Sequence, residues 1–265
     1  IKSDFIKLKK EFNWGSNIYY RLAAKKDVHP TYIQEMLAKF SHDENTIITM
    51  INYLSRNNGH SYTSDSLKLF GQSKTKKNVR SKLKSYFKNK KLLFIGPGET
   101  VKKNKEMIEI LIKSNSYIVI SCLTENNINE KYIDYYISSN FVKNKSNIKK
   151  KKILEKKFIA PLSSLPKDNK FKKIINYEVI IKDEKFEISD YYTVLPSDKT
   201  LLYCLSVGIF SSAKMIHLAG FDGYKSEDNR QKLITSALNL FEKNFSLKKV
   251  KSITKTTYNI PVRSM

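Results

Sequence analysis

Residues 91–100 read KLLFIGPGET, and this stretch decides the fold class. A short apolar run stops at a Gly-Pro-Gly turn, and a segment with helical spacing, residues 101–113, follows directly. In an α/β protein, backbone N–H groups and the positive end of a helix dipole hold a phosphate at such a strand-to-helix turn. The turn therefore predicts an α/β fold and gives a first place for a ligand.

The chain beyond this turn alternates apolar runs with helical patterns. Strands are predicted at residues 92–95, 117–122, 158–160, 177–181, 192–194 and 215–219. Helices are predicted at residues 101–113, 130–138, 200–213 and 229–245. Strands that are apolar on both faces and separated by helices favour a parallel sheet that is covered on both sides. We expect an α/β domain with a Rossmann-like, mostly parallel sheet and helices on both faces.

The part of the chain before the turn reads as a small helical segment, residues 1–72. In its middle, apolar side chains recur at one-face helical spacing: Ile33, Met36, Leu37 and Phe40. Residues 73–90 are rich in Lys and lack such a stripe over most of their length, so we interpret them as a basic linker. The Rossmann-like domain then covers residues 91–265.

The composition is strongly basic, with a formal net charge of +24. A basic surface attracts phosphate backbones, yet only five of the 49 basic residues are Arg. Nucleic-acid sites favour Arg for bidentate and stacking contacts. We therefore expect a solvated Lys surface and no specific nucleic-acid partner.

Several features bear on where the protein works. No apolar run approaches the roughly 18 residues that span a bilayer, so no transmembrane segment is predicted. Cys122 and Cys204 are isolated in apolar settings, which favours buried thiols and a cytoplasmic location. Because the chain begins without Met, we expect it to be the C-terminal portion of a longer protein.

The first candidate site is the turn itself. Its residues are Gly96, Pro97, Gly98, Glu99 and Thr100. Glycines let a phosphate approach the backbone closely, but the pattern is neither a Walker A motif nor a complete Gly-x-Gly-x-x-Gly, whose sixth position here is Val101. The alternative is a tight strand–helix connection with no ligand.

A second candidate follows the strand that ends near Ser121. Strand carboxyl ends form the ligand crevice of doubly wound sheets, so Asn126 can hydrogen-bond a base or ribose there. The alternative is a polar turn that caps the next helix.

A third candidate is the turn after the strand 215–219, which contains Gly220 and Asp222. Asp222 can bind a ribose or sugar hydroxyl, or it can cap backbone N–H groups of the turn. Lys199 and Thr200 open a helix whose first turn can face the same crevice. One face of that helix, around Gly208, carries small side chains, which allows the helix to pack closely on the sheet.

No catalytic residue is assigned from the spacing of reactive side chains. His217 lies inside a predicted strand and is interpreted as a core residue, and the other three histidines share no ligand spacing. No metal cluster and no Ser-His-Asp arrangement is visible in the sequence.

The helical segment, residues 1–72, resembles the helical tail of the 4-hydroxy-2-oxovalerate aldolase and HMG-CoA lyase-like family. The motifs that carry the resemblance are WGSNIYY at 14–20, AAK at 23–25 and HPTY at 29–32. The resemblance covers about 70 residues. It implies that a divalent metal and the lyase activity belong to a barrel outside this sequence, so no cofactor is expected in this chain.

Residues 91 to about 225 resemble bacterial sialyltransferases and 6-hydroxymethylpterin diphosphokinase-like proteins. The matching parts are IGPGET at 95–100, the strand ending in Ser121, the helix 201–212 and the strand and turn 216–224. The resemblance implies that Gly96, Pro97, Gly98 and Thr100 lie at a nucleotide, with Asn126 and Asp222 lining the crevice. Sialyltransferases of this type place a general-base His after the region of Asp222, whereas this chain has no His beyond His217.

Together these features lead us to expect a nucleotide or nucleotide-sugar binding domain of a bacterial bifunctional aldolase/transferase-like protein. Its reaction would be glycosyl or pyrophosphoryl transfer in surface-sugar metabolism. The alternative is a non-catalytic module that binds a ligand, or that makes an attached aldolase oligomeric through the helical segment.

Overall fold

The computed structural model describes residues 80–122, 127–139, 155–162, 165, 171, 173–182, 184–197 and 199–263. These residues belong to the second of the two units into which the chain divides, Phe70–Met265. The predicted helical segment 1–72 and linker residues 73–79 lie outside the described residues. Among the residues described, no helix combines the length and the hydropathy needed to cross a membrane.

Seven parallel strands form the main sheet. They are β1 (Lys91–Ile95), β2 (Tyr117–Cys122), β3 (Tyr135–Ile137), β4 (Lys157–Ala160), β5 (Lys173–Asn176), β9 (Met215–Ala219) and β10 (Val250–Ser252). Their spatial order is β10-β9-β1-β2-β3-β4-β5. The central strands are buried on both faces, which is what their continuous apolar runs require. The predicted Rossmann-like α/β class is confirmed.

A second, three-stranded sheet lies between β5 and β9 in the chain. It contains β6 (Glu178–Ile181), β7 (Glu187–Ile188) and β8 (Tyr192–Leu195). Its order is β6-β8-β7, with β6 parallel and β7 antiparallel to β8. The strands predicted at 177–181 and 192–194 are therefore real but belong to this smaller sheet.

Helices cover the main sheet on both faces. They are α1 (Leu83–Phe87), α2 (Glu99–Lys103), α3 (Lys105–Ser114), α4 (Thr200–Phe210) and α5 (Asn229–Phe245). On one face, Leu93 and Ile95 of β1 form a buried cluster with Val101 of α2 and Ile108 of α3. On the other face, α4 approaches β9 so closely that a Cβ on Gly208 would lie 2.4 Å from Ile216 Cδ1. Alternation along each strand separates these two sets of contacts.

Helix α1 lies within the stretch interpreted as a basic linker. Its Leu83 and Phe87 are fully buried, and the Phe87 ring meets the Tyr135 ring edge-on at 5.0 Å. Residues 83–87 therefore pack as part of the domain, because two apolar side chains four positions apart share one helix face.

The helix predicted at 130–138 is wrong. A 3-10 turn, Glu130–Tyr132, is followed by β3, and the β3 residues and Ser138 are all buried. A surface helix would bury one stripe only, whereas an interior strand buries both of its faces. The Asp134 carboxylate accepts a hydrogen bond from the Val119 N–H (2.8 Å), which fixes the entry of β3 beside β2.

The single helix predicted at 101–113 is two helices, α2 and α3, separated at Asn104. The Asn104 backbone leaves the helical region (φ −111°, ψ 22°), and its side-chain amide donates to the Thr100 carbonyl oxygen (2.8 Å). Asn side chains compete in this way with helical hydrogen bonds. The helix predicted at 200–213 ends earlier, at Phe210, and β5, β7 and β10 were not predicted.

Candidate functional site

The turns after β1 and β9 meet at the switch point of the main sheet. From β1 the chain runs through β2, β3, β4 and β5 toward one edge, whereas β9 and β10 lie on the other side of β1. The Gly96 N–H donates to the Ala219 carbonyl oxygen and the Gly98 N–H donates to the Gly220 carbonyl oxygen, both at 2.7 Å. Loops diverge at such a point and leave a crevice outside the carboxyl ends of the strands.

The carboxylate of Asp222 caps the start of α2. The Thr100 N–H donates to Asp222 Oδ2 (3.0 Å), and the Thr100 hydroxyl donates to Asp222 Oδ1. A Cβ on Gly98 would lie 2.4 Å from the Asp222 carboxyl carbon, so only glycine leaves room for this contact. Asp222 therefore caps backbone, and the capped N–H belongs to Thr100 of α2 and not to the turn that contains Asp222.

Two further glycine contacts hold the turns together. A Cβ on Gly96 would lie 2.5 Å from the Gly220 carbonyl oxygen. Gly220 has φ +70°, which side chains other than glycine rarely adopt, and its N–H donates to Thr254 Oγ1 (2.9 Å). The N–H groups of Gly96, Gly98 and Thr100 all have acceptors within the protein. These three N–H groups are therefore not available to bind a phosphate.

A pocket of about 830 Å³ opens beside this contact. Its lining comes from the start of α2, the loops after β9 and β10 and the start of α5, all at the carboxyl ends of the strands. The lining residues are Thr100, Asp222, Gly223, Tyr224, Lys225, Glu227, Asp228, Arg230, Lys255, Thr256 and Thr257. We call it the first pocket.

The start of α5 forms a polar wall of the first pocket. The Asp228 side chain caps α5 by accepting from the Arg230 N–H (2.8 Å), and it also pairs with the Arg230 guanidinium, Oδ2 to Nη2 at 2.5 Å. The guanidinium carbon lies 4.2 Å from the centre of the Tyr224 ring. Hydrogen bonds from Arg230 lower the pKa of Asp228 to about 2, and the nearby charge of Lys199 acts in the same direction.

The loop after β10 closes the opposite side. The Thr256 hydroxyl donates to the Phe221 carbonyl oxygen (2.7 Å), and the Thr257 N–H donates to the Asp222 carbonyl oxygen (2.8 Å). Lys255 precedes these two residues and is exposed. The sequence interpretation missed all three because it did not predict β10, whose residues 250–252 read VKS and carry no apolar run that would signal a strand.

The structure brings five of the predicted site residues together: Gly96, Gly98, Thr100, Gly220 and Asp222. Pro97 and Glu99 are exposed in the same turn. Thr200 begins α4, and Lys199, directly before it, is close enough for its charge to act on Asp228.

Ser121 lies apart from the first pocket. It is fully buried at the end of β2, where it pairs with Ile95 of β1, and its hydroxyl donates to the Cys122 carbonyl oxygen (3.0 Å). Its strand-end position is as predicted, but it does not line the pocket. Asn126 lies outside the described residues.

His217 is a residue of the sheet interior, as interpreted from the sequence. It lies in β9 with 1% of its surface exposed, and its ring meets the Tyr117 ring edge-on at 5.3 Å. Neither ring nitrogen has a hydrogen-bond partner. Burial, together with the positive charges of Arg263, Lys251 and Lys91, lowers the pKa of His217 to about 4.

Comparison with known proteins found no relative with which this site could be compared. No family model, curated protein or solved structure matches the chain. Within the part of the chain that the structure describes, no cluster of three or more His, Cys, Asp or Glu side chains is arranged to hold a metal ion.

Proposed function

We propose that the first pocket binds a nucleotide or a nucleotide-sugar. The observation that carries this proposal is the position of the pocket at the switch point between β1 and β9, where open parallel sheets bind ligands. Its volume of about 830 Å³ is in the range of small-molecule sites. The resemblance to sialyltransferases and pterin diphosphokinase-like proteins, which implies a nucleotide crevice lined by Asp222, supports the same proposal.

The phosphate in this proposal is held by side-chain cations and not by the glycine turn. The turn's N–H groups already donate to Asp222 and to backbone oxygens. Lys225 and Lys255 are exposed on the pocket lining and supply positive charge. Tyr224 with its Arg230 partner presents flat aromatic and guanidinium groups of the kind that stack on bases.

Calorimetric titration of the full chain with CMP, CDP and GTP tests this proposal. Lys255→Ala is expected to weaken binding of the preferred nucleotide about tenfold, since a charge-assisted contact to phosphate is lost. Lys248→Ala, at an exposed position outside the pocket lining, is the matched control and should bind as the parent does. The proposal fails if none of the three nucleotides binds, or if both variants lose affinity equally.

The proposed reaction is glycosyl or pyrophosphoryl transfer in bacterial surface-sugar metabolism. The competing proposal, a non-catalytic binding module, is favoured because the Asp222 and Asp228 carboxylates both cap helix N–H groups, at Thr100 and at Arg230, and neither is placed as a general base. Incubation with nucleotide-sugars and measurement of the free nucleotide released distinguishes the two. Binding without release supports the module.

The proposed setting is the cytoplasm, where the buried free thiols of Cys122 and Cys204 would stay reduced. We extend the proposal to the whole protein only through the resemblance of residues 1–72 to the aldolase tail. On that basis, residues 1–72 would connect this domain to a metal-dependent barrel and make the protein a homo-oligomer. Light scattering of the chain with and without residues 1–72 tests the second point.

A further inference from the structure

A second pocket, of about 610 Å³, adjoins the first. Its lining residues are Tyr224, Lys225, Ser226, Gln231, Lys232, Thr235, Ser236 and Thr257. Tyr224, Lys225 and Thr257 line both pockets and form the wall between them. A molecule in the first pocket therefore lies directly beside the second.

The dividing wall is held in place by Gln231 of α5. Its side-chain oxygen accepts from the Tyr224 N–H (2.9 Å), and its amide nitrogen donates to the Thr257 carbonyl oxygen (3.2 Å). Gly223 has φ +88°, and a Cβ there would lie 1.9 Å from Thr257 Oγ1. These contacts connect α5 to the loops after β9 and β10, so the second pocket is formed by the fold itself.

The two pockets differ in charge. The first contains the carboxylates of Asp222, Glu227 and Asp228, whereas the second has no carboxylate among its lining residues. The second instead combines the ammonium groups of Lys225 and Lys232 with four Ser and Thr side chains: Ser226, Thr235, Ser236 and Thr257. The Ser226 hydroxyl donates to the Glu227 carboxylate (2.8 Å) and the Thr257 hydroxyl donates to Gln231 Oε1 (3.2 Å), so the donors that the proposal uses are the Lys225 and Lys232 ammonium groups with the Thr235 and Ser236 hydroxyls. Ammonium and hydroxyl donors on one pocket lining are suited to an oxyanion.

We infer that the second pocket binds a phosphate group, with Lys232 and Lys225 as its charged donors. The inference rests on the proposed function, because it takes a nucleotide bound in the first pocket as the molecule that lies beside the second pocket. The phosphate is either the terminal phosphate of that nucleotide, reaching across the shared wall, or the phosphate of a separate substrate.

The experiment titrates the full chain with inorganic phosphate, CMP and CDP, in parallel with Lys232→Ala and Lys243→Ala. Lys243 is exposed near the far end of the same helix and is the matched control. Lys232→Ala is expected to weaken phosphate binding about five- to tenfold, and Lys243→Ala to leave it unchanged. Absence of phosphate binding, or an equal loss in both variants, overturns the inference.

The nucleotide titrations identify the source of the phosphate. If Lys232→Ala weakens CDP but not CMP, the terminal phosphate of the nucleotide occupies the second pocket. If phosphate still binds when CMP is saturating and the CDP affinity is unchanged in Lys232→Ala, the phosphate belongs to a separate substrate. If inorganic phosphate binds and requires Lys232, but no nucleotide binds, the result supports the inference about the second pocket. The same result contradicts only the proposed function of the first pocket.

Discussion

Two glycines in different regions of the molecule are equally close to a neighbouring side chain, but one neighbour is a carboxylate and the other is an aliphatic group. At the carboxyl ends of the strands, a Cβ on Gly98 would lie 2.4 Å from the Asp222 carboxyl carbon. On the face of the sheet covered by α4, a Cβ on Gly208 would lie at the same distance from a methyl carbon of Ile216. A glycine therefore indicates that another group packs closely against it. The chemical type of that neighbouring side chain decides whether the contact belongs to a polar site or to an apolar core.

The largest effect should come from the polar region, at Gly220. In Gly220→Ala, the new Cβ would lie 2.3 Å from Val101 Cγ2 and 2.9 Å from the Gly96 oxygen, on a backbone with φ +70°. Because the clash is partly with backbone and the dihedral is unfavourable, we expect a loss of about 3 kcal/mol in the free energy of unfolding. Urea denaturation measures it.

Gly208→Ala tests the apolar region and should cost less, about 2 kcal/mol, because the contacted atoms all belong to the Ile216 side chain and none to backbone. The double variant Gly208→Ala/Ile216→Val removes the contacted methyl group and should recover part of that loss in the same urea experiment. A larger cost for Gly208→Ala than for Gly220→Ala, or no recovery, would contradict the distinction between the two regions.

The smallest predicted effect concerns pH and the interior residue His217. Its pKa is lowered to about 4 in the folded protein from an ordinary value of 6.5, so the unfolded chain binds the proton first as pH falls. Stability from the neutral form is complete above pH 6.5 and is lost as pH falls toward 4. Between pH 7.5 and pH 5.5 this group should remove about 1 kcal/mol.

The comparison variant is His217→Leu, which does not titrate. Its free energy of unfolding should fall less than that of the parent over the same pH range, whatever its absolute stability. Equal slopes for the two proteins would show that His217 is not the titrating group. Asp228, whose pKa is lowered to about 2 at the site, should contribute nothing over this range.

The fold class and the meeting of two turns could be predicted from local sequence. Residues 117–122 and 215–219 contain apolar residues at consecutive positions, whereas a surface strand alternates apolar and polar residues. Each of these runs ends at a polar or glycine-containing turn. Parallel strands place those turns at the same edge of the sheet. The proximity of Gly98 and Asp222 follows from that rule, without any information on distances.

Other parts of the site depend on partners distant in the chain. Residues 130–138 contain a helix-like apolar spacing, but burial on both sides within the sheet makes residues 135–137 a strand. β10 has only three residues, so its pattern was too short to detect, and the site residues of the following loop were missed with it. Backbone capping by Asp222 was one of two alternatives for that residue, and the sequence did not indicate that the capped N–H would be that of Thr100 in α2.

The hydrogen bond between Thr100 and Asp222 joins residues separated by 122 positions in the chain. Contacts of such long range form slowly, because the intervening chain must be ordered before the contact is rewarded. The first pocket therefore cannot assemble on the ribosome when β1 and β2 emerge; it must await synthesis of residues 215–257. A ligand bound there would slow global unfolding and would have little effect on early folding intermediates.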